Sequence, residues 1–486
     1  MYQLQHRGQE NCGIVPGRGS KLAEPIKISG LVDQLFTKEV INWIKKFRPT
    51  AGIGHTRYAT AGGINPLFAQ PHLIKVGIMP VAAAFNGDLP CISQQRLWLE
   101  KQGVVLKSGT DKKGQLVSPN DGEVILLKIG VLAGNSKRDI ISGIRKLMQT
   151  TPGAYSGVLL AGGKLYAFRD PWGFRPLCYG WKEDVRVIAS ESCVFSSNDP
   201  GVEDEIRPGE LIIFGGDVEI ERHQLVEPKE PTQLCPFEHI YFQRPDSRLF
   251  GISETENFAI RYEFGRALAR EHPVSDAIVV AVPDSGTPAA KGYARECDLE
   301  DKVLFTVNRF MPKGVARTFQ IAGQESREEL VRRKYSIHRS LLASLIYKLS
   351  IDVIRGPVRL VLVDDSIVRL TTLSTLIKII RETWQSLGGK LADLEIIVRI
   401  PSPRIIGPCY YGIDIHTYRE LIAASNDNRQ IAQKLGQCVS SVEYLSLADL
   451  NSVLNRFAAD YGYADGFCNA CFTNKYPTVI ESCEEK

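Results

Sequence analysis

The second half of the chain carries apolar, β-branched segments that alternate with helical patterns, and this alternation constrains the fold more than any other feature. Strands are predicted at Ala277–Val282, Val358–Val363 and Glu395–Ile400. Helices are predicted between them at Glu256–Glu271, Pro288–Cys297 and Leu373–Leu387. Strands that are apolar on both faces and alternate with helices are typical of a parallel sheet covered by helices. We therefore predict an α/β domain built on a parallel sheet.

The first half shows short apolar strands punctuated by glycine. These strands are predicted at Ala51–Ile53, Pro80–Phe85, Ser156–Leu160, Lys164–Phe168 and Leu211–Phe214. Helices are predicted near Glu123–Ala133 and Lys137–Gln149. The pattern indicates an antiparallel α+β domain. The polar, proline-containing stretch Val226–Thr232 is typical of a linker between the two halves.

Composition excludes several classes of function. A net charge of +4, with no long basic run, argues against nucleic-acid binding. No apolar run reaches the roughly 18 residues of a membrane helix, and no apolar leader opens the sequence. We therefore expect no membrane contact and a cytoplasmic location. There the 11 cysteines are expected to be thiols or metal ligands rather than disulfides.

Acids and hydroxyls follow the strand Val358–Val363. Asp364, Asp365 and Ser366 come first, and Thr371 and Thr372 precede the predicted helix. In parallel sheets ligands bind at the carboxyl ends of strands, and a helix N-terminus favours an anion. The acids would be repelled by phosphate, so we expect them to face ribose hydroxyls and Mg²⁺. The segment predicts a sugar-phosphate site.

A second strand end offers weaker support. Asp284, Ser285 and Gly286 follow the strand Ala277–Val282 and precede a helix. Small residues there would let a diphosphate approach the backbone. An ordinary turn would explain the segment equally well.

Ordered motifs along nearly the whole chain resemble one enzyme family. They are Gln5–Glu10, Gly54–Tyr58, Phe168–Pro171, Ile240–Ser247, Asp364–Thr372 and Tyr411–Asp414. The chain resembles the amidophosphoribosyltransferases, in particular their iron–sulfur branch. The resemblance implies an α+β N-terminal-nucleophile glutaminase sandwich at residues 1–230 and an α/β type I phosphoribosyltransferase domain with a cysteine-bearing helical tail at 231–486. It also implies that ammonia from glutamine converts phosphoribosyl diphosphate (PRPP) to 5-phosphoribosylamine, the first step of purine biosynthesis.

The resemblance assigns the residues of a glutamine site. Arg57 would pair with the glutamine α-carboxylate, and Asp121 would accept from its α-amino group. Asn86 and Gly87 would form the oxyanion hole. Arg7 would support the surroundings of the nucleophile.

The resemblance also assigns the transferase site. Mg²⁺ would be held by Ser285, Asp364 and Asp365, while Lys334 and Arg317 would neutralise the pyrophosphate. Arg317 lies in Phe310–Ile321, which resembles a loop that closes over PRPP. Beside Asp284 and Gly286, the 5′-phosphate would be cradled by Ser366, Ile367, Val368, Arg369, Thr371 and Thr372.

Four cysteines match the ligand positions of the iron–sulfur branch. They are Cys235, Cys409, Cys468 and Cys471. Four thiolates suit a [4Fe–4S] cluster, although the Cys-x-x-Cys pair taken alone would equally suit Zn²⁺. The resemblance implies a structural cluster that attaches the C-terminal tail to the region after the linker.

The sequence departs from the family at the nucleophile. The family uses an N-terminal cysteine, on a strand ahead of the Gln5–Glu10 motif, with its α-amino group as base. Only four residues precede that motif here, so the cysteine and the first strand are expected to be missing. A longer true chain or a degenerate paralogue would explain this. Cys12 follows the motif, and we do not expect it to be the nucleophile.

Further departures lie near the phosphate site. Leu370 stands where the family has glycine, and Met311–Gly314 resembles an insertion. Glycine would allow a positive φ that leucine adopts at a cost. An impaired paralogue that binds PRPP or nucleotide as a regulatory partner is therefore the alternative function. The resemblance further implies a homodimer or homotetramer and feedback inhibition by purine nucleotides.

Overall fold

The computed structural model describes residues 1–58, 68–107, 120–134, 139–195, 201–215, 220–248, 256–308, 324–415, 417–459 and 462–480. Strands of the first half are Asn11–Arg18, Lys21–Leu22, Ile26–Ser29, Ala51–Arg57, His72–Val76, Met79–Asp88, Ala154–Ala161, Lys164–Arg169, Cys178–Lys182, Val185–Ala189, Gly201–Glu205, Glu210–Phe214 and Glu221–Gln224. Its α-helices are Val32–Leu35, Lys38–Phe47, Ile92–Lys101, Asp121–Ala133 and Ile140–Thr150. The five predicted antiparallel strands are confirmed, and each is longer than expected.

The strands of the first half form stacked antiparallel sheets. A six-stranded sheet has Met79–Asp88, Ala154–Ala161 and Lys164–Arg169 at its centre. A four-stranded sheet around Asn11–Arg18 packs on it, with Val15 and Ile53 against Ala82 and Leu160. Helices cover the opposite face of the six-stranded sheet. Each layer therefore buries one apolar face against the next.

The helix Asp121–Ala133 shows why predicted boundaries shifted. The Asn120 side chain accepts a hydrogen bond from the Gly122 backbone N–H at 3.0 Å, so the helix begins before the predicted Glu123. Asp139 caps the next helix in the same way, through Ser142 at 3.1 Å. Side-chain caps satisfy the N–H groups that a helix start leaves open, and they fix the start locally.

The second half contains a parallel sheet, as predicted. Its strands are Ile278–Ala281, Glu300–Lys302, Phe305–Val307, Tyr335–Ile337, Val358–Val363, Leu394–Ile400 and Val439–Tyr444. Its α-helices are Asn257–Glu271, Thr287–Glu296, Gln324–Lys334, Arg339–Ser350, Thr371–Ser386, Ile422–Ser425, Asn428–Leu435, Leu447–Ala458 and Ala470–Thr473. Five strands run parallel in the order Glu300–Lys302, Ile278–Ala281, Val358–Val363, Leu394–Ile400 and Val439–Tyr444.

Both faces of the parallel sheet are covered. Val361 and Val363 pack with Phe264 on one face, while Leu360 and Leu362 pack with Leu376 on the other. This explains the continuous apolar run of the central strand, since residues on both faces are buried. Within the described ranges, no helix combines the length and apolar character needed to cross a bilayer.

Candidate functional site

The carboxyl ends of two parallel strands, Ile278–Ala281 and Val358–Val363, border a cavity of about 510 Å³. This phosphate-side cavity brings together most of the residues predicted to bind PRPP and Mg²⁺. Those lining it are Asp284, Ser285, Lys334, Asp364, Asp365, Ser366, Ile367, Val368, Arg369, Thr371 and Thr372. These residues lie together because the carboxyl ends of parallel strands meet at the same edge of the sheet.

Two buried acids lie at the centre of the phosphate-side cavity. The Asp365 carboxylate accepts hydrogen bonds from the hydroxyls of Ser285 and, at 2.5 Å, Ser366. Asp364 is 6% exposed, and its pKa lies well above the ordinary value because of burial and the charge of Asp365. Adjacent buried carboxylates repel each other, so a divalent cation would favour their ionised form. The donor set therefore fits Mg²⁺.

Leu370 occupies a left-handed backbone conformation directly before the helix Thr371–Ser386. Its φ is +56°, in the left-handed region that the glycine expected from the resemblance would adopt without strain. The helix N-terminus beyond it faces the cavity through Thr371 and Thr372. The loop thus keeps the shape of an anion-binding turn with a strained residue inside it.

Gly286 and Arg317 were also predicted for this site. Gly286 packs between strand ends: its N–H donates to the Val282 carbonyl at 3.1 Å, and an added Cβ would lie 2.7 Å from the Val363 carbonyl oxygen. Its small size therefore permits close packing of the two loops. Arg317, the closing segment Phe310–Ile321 and the insertion Met311–Gly314 lie outside the described residues.

A second cavity, of about 370 Å³, lies in the first half and is called the glutamine-side cavity below. It is lined by all five residues predicted for the glutamine site, including Arg7, which was predicted to support the surroundings of the nucleophile: Arg7, Arg57, Asn86, Gly87 and Asp121. Arg57 lies over the Phe68 ring, 5.3 Å from its centroid, and feels the opposite charge of Asp121. A cation and an anion at one cavity suit the carboxylate and ammonium groups of an amino acid.

Asn86 and Gly87 have the features of an oxyanion hole. The Asn86 Nδ2 is buried and has no hydrogen-bond partner within the described part of the chain. Gly87 has a φ of +144°, and an added Cβ would lie 2.0 Å from the Ala154 carbonyl oxygen, so only glycine fits. An orphaned buried donor beside a tight glycine is suited to a developing negative charge.

The second half contributes a wall of the glutamine-side cavity that the sequence did not predict. The Tyr58 hydroxyl donates to the Gly412 carbonyl at 3.0 Å. An added Cβ on Gly412 would lie 3.1 Å from the Gly87 Cα. The motif Tyr411–Asp414 marked the family resemblance, but its sequence did not indicate this contact.

A buried charge network borders the glutamine-side cavity, which Arg7 and Arg175 line. The Arg7 guanidinium donates to Glu191 at 2.8 Å and to Glu238 at 2.6 Å, and Arg175 also donates to Glu238. Burial alone would raise the pKa of Glu238, but the charges of Arg175 and Arg7 hold it below its ordinary value. Sequence reasoning missed Glu191 and Glu238, since they lie 184 and 231 residues from Arg7.

His6, Glu191 and Cys193 form a further group whose potential ligand atoms lie within 4.8 Å of one another. Both Glu191 oxygens already accept hydrogen bonds. One accepts from His6 and Arg7 at 2.8 Å, and the other from Ser247 and the Arg244 backbone at 2.6 Å. We therefore assign this group to the charge network.

The four predicted cysteine ligands meet around one small cavity. They are Cys235, Cys409, Cys468 and Cys471. The Cys468 N–H donates to the Leu234 carbonyl at 2.9 Å, so the tail lies against the segment that follows Val226–Thr232. Burial raises the pKa of Cys235 to about 12, and burial also raises the pKa of the other three thiols. Four cysteines that line one cavity offer a set of thiolate ligands.

The chain was compared with known proteins. No protein-family model matches it. It is 35% identical to the amidophosphoribosyltransferase of Methanocaldococcus jannaschii, over 99% of this chain and 93% of that protein. The amidophosphoribosyltransferase of Archaeoglobus fulgidus is 37% identical over 100% of this chain and 95% of that protein. The B. subtilis glutamine PRPP amidotransferase complexed with ADP and GMP matches with a TM-score of 0.78 and 32% identity, over 99% of this chain and 94% of that chain.

Proposed function

This chain belongs to the amidophosphoribosyltransferase family, and we propose that it forms 5-phosphoribosylamine from PRPP and ammonia, the first step of de novo purine biosynthesis. The observation that carries the proposal is the phosphate-side cavity, where buried acids and a hydroxyl-rich helix start meet at one sheet edge. An acid pair suits the ribose hydroxyls and Mg²⁺, and the helix start suits the 5′-phosphate.

The residues of the phosphate-side cavity would have different roles in the transfer reaction. Ammonia forms a bond to C1 of the ribose while the bond from C1 to the pyrophosphate oxygen breaks, and pyrophosphate takes the electron pair. Lys334 lines the cavity and would neutralise this leaving group, together with Arg317. Mg²⁺ bound by Ser285, Asp364 and Asp365 would supply further positive charge there.

The glutamine-side cavity would supply ammonia. Arg57 would bind the α-carboxylate of glutamine, Asp121 its ammonium group, and Asn86 with Gly87 the oxyanion. We include in the proposal the N-terminal-nucleophile sandwich at residues 1–230 and the transferase domain at 231–486. Cys12 is not a suitable nucleophile, because it is 1% exposed inside a strand and burial raises its pKa to about 11.

We further propose that Cys235, Cys409, Cys468 and Cys471 hold a [4Fe–4S] cluster. Their convergence and burial support this, as does their place in the apolar core beside Phe174 and Phe237. The cluster would supply covalent cross-links between the tail and the transferase half. Anaerobically purified protein should be brown, with about four irons per chain. Colourless, zinc-containing protein would contradict the cluster.

The test of the proposed function uses the full chain with PRPP, Mg²⁺ and ammonium chloride. Pyrophosphate release that requires both ammonia and Mg²⁺ is expected, and its absence would show the function to be wrong. The strained Leu370 favours a second candidate, an impaired paralogue that binds PRPP or nucleotide as a regulatory partner. Titration calorimetry that detects PRPP binding without turnover would select it. Inhibition assays with purine nucleotides and light scattering test the proposed feedback and homo-oligomer.

A further inference from the structure

Gln243 is a buried residue of the phosphate-side cavity whose side-chain oxygen has an unused capacity for hydrogen bonding. The residue is 3% exposed and lines that cavity. Its Oε1 is buried and has no hydrogen-bond partner in the part of the chain that the structure describes. Sequence reasoning assigned Gln243 no role, although it lies within the motif Ile240–Ser247. A buried amide oxygen without a donor costs free energy, so a donor that arrives with a substrate would explain it.

The backbone of Gln243 is held in place by its neighbours. Its N–H donates to the Glu238 carbonyl at 2.9 Å. Its carbonyl accepts from Arg261 Nη2 at 2.8 Å and from the Asn257 side chain at 3.5 Å. The unpaired side-chain oxygen therefore extends from a fixed backbone, which is what a preorganised contact to a substrate requires.

Gln243 also lies where the two cavities adjoin. The preceding residue, Phe242, lines the glutamine-side cavity, whereas Gln243 lines the phosphate-side cavity. The same change occurs between Arg7 on the glutamine side and His6 on the phosphate side. Because consecutive Cα atoms are only about 3.8 Å apart, the two cavities approach each other at this wall. A small molecule that passes from the first cavity to the second would have a short path here, beside Gln243.

We propose that Gln243 binds ammonia, accepting a hydrogen bond from it through Oε1, and orients the lone pair of the nitrogen toward C1 of PRPP. The inference rests on the proposed function. The ionised phosphate oxygens of PRPP have no hydrogen to donate, and its ribose hydroxyls have Asp364 and Asp365 as acceptors in the proposed site. Ammonia is the reactant that still needs an acceptor. A neutral amide suits it, because a carboxylate would favour ammonium, whose lone pair already holds a proton.

The role assigned to Gln243 leaves the chemistry of the transfer balanced. The nitrogen forms its bond to C1 while the bond from C1 to the pyrophosphate oxygen breaks, and pyrophosphate keeps the electron pair. The attached nitrogen then carries one surplus proton, which it loses to water. Gln243 only holds an N–H group during these steps and exchanges no proton, so its contribution is the orientation of the nucleophile.

The test uses the full chain with PRPP, Mg²⁺ and ammonium chloride. Gln243→Met keeps a side chain of similar length but removes the acceptor, and Gln243→Glu keeps an acceptor and adds a charge. Gln385→Met, at an exposed glutamine in the helix Thr371–Ser386, is the matched control. We measure kcat/KM for ammonia at saturating PRPP, the affinity for PRPP by titration calorimetry, the pH dependence of the rate and the melting temperature.

We expect Gln243→Met to lower kcat/KM for ammonia by about 5- to 10-fold, the effect of one lost hydrogen bond, and to leave the affinity for PRPP unchanged. Its melting temperature should not fall, because the substitution removes an unpaired buried oxygen. Gln243→Glu should lose activity near neutral pH and regain it as the pH rises, because more of the bound nitrogen is then neutral. Gln385→Met should match the wild type.

Three results would overturn the role of Gln243 while the proposed function stands. They are an unchanged kcat/KM for ammonia in Gln243→Met, a loss of PRPP affinity in that variant, and a pH profile of Gln243→Glu that parallels the wild type. Wild-type protein that releases no pyrophosphate with ammonia would instead overturn the proposed function, and the role of Gln243 with it.

Discussion

The two cavities of this protein are built in opposite ways. The phosphate-side cavity draws most of its polar residues from two short loops that follow adjacent parallel strands. The glutamine-side cavity collects Arg7, Arg57, Asn86 and Asp121 from separate elements and closes against Gly412 of the second half. The first site is therefore a property of one sheet edge, and the second depends on how the two halves pack. Substitutions and pH should affect them separately.

The largest expected effect is at the phosphate-side cavity. Asp365→Asn removes a charge that the Ser285 and Ser366 hydroxyls orient. We expect kcat/KM for PRPP in the ammonia-driven reaction to fall by about 10²–10³-fold, because the substitution weakens cation binding at the reacting end. Pyrophosphate release measures this. Asp276→Asn, an exposed position before the strand Ile278–Ala281, is the control and should match the wild type. Equal losses of kcat/KM in Asp365→Asn and Asp276→Asn would contradict the assignment of Asp365 to the PRPP site.

A smaller effect, a loss of glutamine affinity alone, is expected from a substitution in the glutamine-side cavity. Arg57→Ala removes the charged partner of the glutamine carboxylate, and affinity for glutamine should fall by about 10–100-fold, or roughly 1.5–3 kcal/mol. Titration calorimetry with glutamine measures this. Arg18→Ala, at the exposed end of a neighbouring strand, serves as control. A matching fall in the ammonia-driven reaction would show that the two cavities do not act separately.

Acid should destabilise the first half of the chain through His72. Burial lowers the pKa of His72 from 6.5 to about 3, and its ring lies 3.1 Å from the Asn120 side chain that caps the helix beginning at Asp121. The unfolded state takes up a proton below pH 6.5 that the folded state does not, so stability present above pH 6.5 is lost as the pH falls. At about pH 5 this costs roughly 2 kcal/mol.

His72→Gln removes that titration. Between about pH 7 and pH 5, the variant should lose roughly 2 kcal/mol less unfolding free energy than the wild type. Urea denaturation at the two pH values measures the difference. His338→Gln, at an exposed histidine, should show the wild-type slope. Identical slopes for His72→Gln and the wild type would mean that His72 is not held neutral.

The smallest effect concerns the strained phosphate loop. Leu370→Gly should relieve about 1 kcal/mol of left-handed strain and lower the KM for PRPP. Arg48→Gly, at a helix C-cap with a φ of +52°, is the matched control outside the site. Both variants should alter the melting temperature slightly, but only Leu370→Gly should improve PRPP binding. An unchanged KM would indicate that the leucine is tolerated without a functional cost.

The sequence predicted secondary structure best where a segment is apolar on both faces. Val358–Val363 was predicted with its observed bounds, because a central parallel strand is apolar throughout. Val439–Tyr444 was missed because it lies at the sheet edge, where its polar residues Ser440, Ser441 and Glu443 break the apolar run. The helix Lys38–Phe47 was also missed, and it buries no residue fully. An element that packs only partly against the core therefore has a weak apolar pattern in the sequence.

By itself, the sequence determined the parallel sheet and the acid and hydroxyl residues at its edge. These features follow from local chemistry: strand burial, helix starts and residue type. The special turn at position 370 and the grouping of the four cysteines were expected only from the family resemblance. Only the tertiary structure decided that Arg7 meets Glu191 and Glu238, that Gly412 closes the glutamine-side cavity, and that Arg175 shares Glu238 with Arg7. These contacts join residues far apart in the chain, and a buried charge finds its partner through packing rather than through sequence spacing.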